Sequence, residues 1–152
     1  MRRGSGEIRP EHVETLEAQA ALLVEIAPNL GLSLDYSIES LEAVDGYFDE
    51  RDVDSVAQEG SLFETQGDRL LFCFRACTGE VIIQAAAKAR WRIDEEAGEN
   101  LSQAYVYEAK KNFSAHPFYK VIKRYQNGAG GSLHSFADFA VKAIRGEIEF
   151  GA

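Results

Sequence analysis

The chain has 152 residues, 45% hydrophobic and 27% charged, with 25 acidic against 16 basic side chains and a net charge of -9. That apolar share supports one compact domain, which at this length buries roughly 70% of its unfolded surface without disulfide or metal staples. The composition excludes collagen-like, disordered and disulfide-rich classes, and no run of about 18 apolar residues is present to cross a bilayer.

Residues 1–9 read as a flexible N-terminus, and Met1 to Gly6 lacks the apolar stretch and cleavage site of a secretory signal, so a cytoplasmic setting is expected. A helix is expected over 10–27. Pro10 suits its first position and Glu11 its first turn, and Val13, Leu16, Ala20, Leu23 and Ala27 recur at helical spacing up to Pro28. A second helix is expected over 37–50, with Ser37 as N-cap, Glu39 at the positive end, and Tyr36 and Leu41 as a hydrophobic staple. Its buried stripe is Ile38, Leu41, Val44 and Phe48, and Glu39, Glu42, Asp49 and Glu50 share the opposite face.

Residues 68–90 read as a long central helix, apolar around most of its circumference and therefore buried. Gly79 within it costs about 1 kcal/mol against alanine, which predicts a close approach by another backbone at that point. Trp91 and Ile93 then alternate with Arg92 and Asp94, and Ala104 to Tyr107 is rich in strand formers, so a β-hairpin is expected over 90–108. Pro117 opens a helix over 117–127, carrying Phe118, Val121, Ile122 and Tyr125 on one face. Ser132 caps a last helix over 133–145. The expected architecture is α+β: about five helices around a long central buried helix, with a small antiparallel hairpin, in one domain spanning 10–146 with a tail at 147–152.

Several of these segments recur together in a known order. Leu34-Asp35-Tyr36-Ser37-Ile38-Glu39-Ser40-Leu41, then Thr78-Gly79-Glu80-Val81-Ile82 with Trp91 following, then His116-Pro117-Phe118, resemble a bacterial family of small domains of unknown function. Its pattern is an LDYS-x-ESL helix start, a GEV helix, a tryptophan and an NPF-like turn, and the resemblance covers about residues 34–140. Here Ala76 and Cys77 stand where the family has glycine and aromatic or small residues, and His116 replaces asparagine. The resemblance implies a fold and a bacterial cytoplasmic setting but no reaction. Some small acidic bacterial domains of this type resemble immunity or inhibitor proteins.

The charge is uneven. Residues 1–60 carry 14 acidic and 4 basic groups, and residues 110–152 carry 3 and 7. An acidic domain is repelled by nucleic-acid phosphates, whereas a basic protein is attracted to it. The primary expectation is a non-enzymatic binding domain that meets a basic partner through Glu39, Glu42, Asp49 and Glu50. The alternative is a small hydrolase or ligand-binding domain using Glu80 and His116 in a cleft, with Tyr105 or Tyr107 assisting. Glu80 interrupts apolar neighbours without a basic residue three or four positions away, so burial would raise its pKa and suit acid-base work. The competing reading makes Gly79, Glu80, Trp91, Pro117 and Phe118 structural, with Glu80 bracing the tryptophan. Homodimerisation through the aromatic C-terminal elements is a third arrangement.

No cofactor or metal is expected. Cys73 and Cys77 read as free packed thiols, His12, His116 and His134 form no ligand set, and Asp45, Asp49, Asp52 and Asp54 lack the spacing of a calcium loop. The glycine-rich run from Asn127 to Ser132 follows a helix and lacks the Lys-Ser/Thr of a phosphate loop. The Ser132 helix start, with Lys120 and Lys123, is the one anion-binding candidate.

Overall fold

The computed structural model describes residues 8–53, 56–57, 62–86, 88–94, 100–117 and 132–148, with the side chains of 48–71 and 102 outside that description. The fold is α+β. Helix α1 (Pro10–Ile26) has proline at its start and buries Leu16, Ala20 and Leu23. Pro28 lacks an amide hydrogen for the α-helical ladder, so the chain tightens into a 3-10 turn, Ala27–Leu30. Gly31 closes it at φ 77°, a left-handed conformation open to glycine without steric cost.

Buried Leu32 and Leu34 lead to a turn built on Asp35, whose carboxylate accepts from the Ser37 amide at 3.0 Å and the Ser37 hydroxyl at 2.5 Å. Those two bonds, hydroxyl first, hold the Asp35 carboxyl below its ordinary value. Helix α2 (Ser40–Arg51) starts three residues later than expected. The reason is local: Ser40, Leu41 and Glu42 donate to carbonyls three residues back, so 37–39 form a tight turn ahead of the α-helix. Ser37 Oγ still accepts from the Ser40 amide at 3.1 Å.

A short antiparallel pair follows, β1 (Asp52–Val53) against β2 (Val56–Ala57). Helix α3 (Leu62–Ala85) is 24 residues long, begins six residues ahead of the expected 68 and ends five before 90. The alanine-rich segment after Ala85 has helical propensity, but the Ala86 amide closes on Ile82 and Lys88 takes φ 76°. The turn releases Arg90 into a sheet, and strand pairing there overrides local preference.

That sheet has three antiparallel strands where a two-stranded hairpin was expected: β3 (Arg90–Arg92), β4 (Tyr105–Glu108) and β5 (Phe113–Ala115), in that order. Trp91 pairs with Val106 and Val106 with Ala115. The inner face therefore carries Trp91, Val106 and Ala115, all buried, while Arg92, Tyr105, Tyr107 and Ser114 occupy the outer one. The third strand supplies the support a lone hairpin lacks. Glu108, buried at the end of β4, accepts from the Lys110 and Lys111 amides at 3.1 and 2.7 Å and so ties the β4–β5 turn.

The last helix, α4 (Leu133–Arg145), has Ser132 at its N-cap and Gly146 at φ 79° beyond its C-terminus. Among the described residues there are four α-helices, and the helix expected over 117–127 lies outside them beyond Pro117. Helix α3 packs against α1, α4 and strands β2, β3 and β4, while α2 packs on α4 and β1, so all four helices and the sheet wall the core. Phe74, Leu16, Leu23, Leu41, Ile82 and Leu133 are its largest fully buried side chains together with Val44, Val81 and Val106.

Candidate functional site

The site is built where α3 meets β3. Trp91 points inward from β3 and lays its six-membered ring on α3 at Gly79. A Cβ added there would stand 2.0 Å from Cη2 and 2.4 Å from Cζ2. The close approach is thus made by an indole, and not by the second backbone that the sequence suggested. One residue along α3, Glu80 Oε2 accepts from Trp91 Nε1 at 2.8 Å. An indole N–H buried without an acceptor costs about 1–3 kcal/mol, so this bond satisfies the ring and orients the carboxylate together.

Glu80 is 6% exposed, and its remaining access is to a cleft of about 810 Å³. The cleft is lined from the helices by Val13, Glu14 and Glu17 of α1 with Glu80 and Ile83 of α3, and from the sheet by Arg90, Trp91 and Arg92 of β3. Ile8, Pro10 and Ala89 complete the lining. Burial pushes the Glu80 carboxyl above its ordinary value, the Trp91 bond opposes that shift, and the Glu17 charge adds to it. The Tyr36 phenol is also raised, by burial first and then by acidic neighbours that include Glu80 and Glu17.

His116 does not share this cleft. It is exposed beyond the end of β5, with its ring stacked on Tyr105 at 5.0 Å and 29°. The Tyr105 hydroxyl donates to Asp94 Oδ1 at 3.1 Å, and the Arg92 guanidinium lies 4.7 Å above the Tyr107 ring. Tyr107 in turn donates to Asn112 at 2.9 Å. All of these belong to the outer face of the sheet, whereas Glu80 meets Trp91 on the inner face, so the structure does not bring Glu80 and His116 together. Of the remaining residues singled out, Pro117 is buried and Phe118 lies outside the described residues.

Burial pushes the Cys77 thiol up to about 12, with Glu80 and Cys73 adding to the rise. A thiol so placed stays protonated at neutral pH and is a poor nucleophile. Cys73 donates to Gln19 Oε1 at 3.3 Å, and neither cysteine is in a disulfide. Among the described residues no group of three or more His, Cys, Asp and Glu converges to hold a metal ion.

Glu39, in the turn ahead of α2, and Glu42, in its first turn, are exposed, and the side chains of Asp49 and Glu50 lie outside the description. Glu42 Oε1 is 3.7 Å from His134 Nε2. Asp45 has a structural task that spacing alone concealed. Its carboxylate accepts from Ser132 Oγ at 2.7 Å, Leu133 N at 2.8 Å and His134 N at 3.1 Å, capping α4 from α2. The anion-binding candidate at this helix start is therefore filled by the chain's own carboxylate. The i, i+3 spacing of Glu14 and Glu17 on α1 is the sequence signal that they share a wall, and nothing in the sequence sets it apart from a solvated helix face.

Comparison with protein families, with curated proteins and with solved structures finds no match. No helix among the described residues is long and apolar enough to cross a membrane.

Proposed function

We propose that this domain is a ligand-binding module whose site is the cleft between α1, α3 and β3. The observation that carries the reading is a buried carboxylate, Glu80, held by the Trp91 indole at 2.8 Å and opening onto a cleft of about 810 Å³. Ligand sites are typically concave, ~300–1,000 Å³, with mostly apolar walls and a few fixed polar groups. Binding suits the local chemistry better than catalysis does: Cys77 is held protonated, and His116 is committed to Tyr105 on the other face of the sheet.

The test is direct because Trp91 is the only tryptophan in the chain. Its indole N–H gives one resonance, to be followed against a small-molecule library containing cationic, neutral and anionic members. Shifts confined to Trp91, Val13 and Ile83 support the cleft as the site. Shifts that avoid these residues for every bound compound would overturn it.

A second reading, a basic protein partner on α2, is favoured by the open positions of Glu39 and Glu42 and by the acidic balance of the first 60 residues. Electrostatic steering of this kind serves immunity- or inhibitor-like proteins, and a bacterial cytoplasmic setting belongs to the same reading. Changing Glu39, Glu42, Asp49 and Glu50 to lysine should abolish capture of a basic partner at low salt while leaving helical content unchanged. Retained capture removes this reading.

A further inference from the structure

Resting on the cleft reading above, we infer that the ligand is an amphipathic organic cation: an ammonium or guanidinium group on an apolar stem. Charge is divided within the cleft. Glu14 and Glu17 on α1 and Glu80 on α3 form an acidic helical wall, and the basic residues Arg90 and Arg92 are confined to the strand. The Arg92 guanidinium is drawn onto Tyr107, on the face of the sheet away from Trp91.

The helical wall thus gathers like charges. The negative charge of Glu17 disfavours ionisation of Glu80, and a cation seated between them relieves that repulsion. The Trp91 bond fixes the orientation of the Glu80 carboxylate in advance, so the ligand need not order it. Beside the acidic groups lie Ile8, Pro10, Val13 and Ile83, an apolar surface suited to the methylene stem that lysine, arginine and polyamines share. The lining sets three carboxylates against two arginines, one of which, Arg92, is already engaged by the Tyr107 ring, so the balance disfavours an anion, and a purely apolar ligand would leave the carboxylates without compensation.

Two sources carry this chemistry: a free polyamine and a basic side chain on a polypeptide. The experiment titrates the full chain with spermidine, with a short lysine-containing peptide, with the fully acetylated form of each, and with a dicarboxylate of similar length. Trp91 fluorescence is the signal, read at about 20 mM and about 200 mM salt, across which exposed attraction is increasingly screened. A saturable change with spermidine, with the peptide or with both, absent for the acetylated forms and the dicarboxylate, supports the inference, and the more effective of the two identifies the source.

Glu17→Gln, at an exposed helical position where folding is insensitive to the change, should weaken cation binding about tenfold, and Glu147→Gln, exposed beyond the end of α4 and outside the cleft lining, should leave it unaltered. The inference is overturned if neither cation moves the signal or if Glu17→Gln binds as well as the parent. A neutral or anionic compound that shifts Trp91 while cations do not would overturn the ligand class yet leave the cleft as a binding site.

Discussion

The indole of Trp91 occupies the space a side chain at Gly79 would need, with Cη2 2.0 Å from the position of an added Cβ. Helix propensity alone favours Gly79→Ala by about 1 kcal/mol. Overpacking works in the other direction, since the ring is pinned through Nε1 and is 3% exposed, and forcing it aside costs about 1–3 kcal/mol or more. We expect Gly79→Ala to lower the midpoint of denaturant unfolding. Trp91→Leu will be destabilising in its own right, but in its background the alanine should cost far less, and a double-mutant cycle in urea measures that coupling.

Glu80 separates two roles of one side chain. Glu80→Gln retains an oxygen acceptor for Trp91 Nε1 and removes the buried charge, so stability at neutral pH should match or exceed that of the parent. Glu80→Ala leaves the indole N–H without its acceptor and should lose about 1–3 kcal/mol. Thermal melts of the two variants at neutral pH decide between these outcomes.

The same group sets a pH dependence. Its carboxyl is raised in the folded chain, chiefly by burial, so the folded state binds its proton more tightly than the unfolded state. The stability it contributes is fully present below the unfolded glutamate value and is lost as pH rises through the higher folded value. Subtracting the Glu80→Gln unfolding curve from that of the parent, point by point in pH, should give a difference that moves against the parent over that window. A flat difference would show that Glu80 titrates as it does in the unfolded chain.

Asp45 joins α2 to α4 by accepting three hydrogen bonds at the helix start. Asp45→Ala should cost about 1–2 kcal/mol, the range of a lost N-cap. Asp45→Asn keeps an acceptor but surrenders the favourable charge at the positive helix end, and should cost less. Hydrogen exchange at Leu133 and His134 localises the effect: faster exchange there, with α1 unchanged, is the expected pattern.

Cys77 is buried and its thiol pushed up to about 12, and Cys73 is buried as well. Neither should react with a thiol reagent at neutral pH on the time scale of an exposed cysteine. Labelling should instead follow unfolding, two thiols per chain in denaturant, and rapid labelling of the native protein would show that α3 opens locally.

Much of the architecture is legible in the chain. The apolar spacing from Val13 to Leu23 and from Leu133 to Ile144 marks α1 and α4, and Pro10, Ser132 and Gly146 mark their ends, because caps and periodicity are local properties. The alternation at Trp91 and from Tyr105 to Tyr107 marks two strands of the sheet. The third strand was not legible, since Phe113 to Ala115 is too short to show a period and gains its strand character from pairing with β4. The end of α3 was misplaced for a related reason: alanines favour helix, and only the pairing of Arg90–Arg92 with β4 draws the chain away.

The site divides along the same line. Glu80 was identifiable as a carboxylate without a local cation, and Gly79 as a costly glycine that demanded an explanation. What explains both, Trp91, is 11 residues from Glu80, and its indole reaches them only because β3 folds back on α3. The sequence by itself determined the α+β class, the limits of α1 and α4 and the residues that are odd in their surroundings, since these depend on spacing and chemistry along the chain. Tertiary structure alone decided that Glu80 faces Glu17 and Trp91 and not His116, because the faces of a sheet and the walls of a cleft are set by packing between segments distant in sequence.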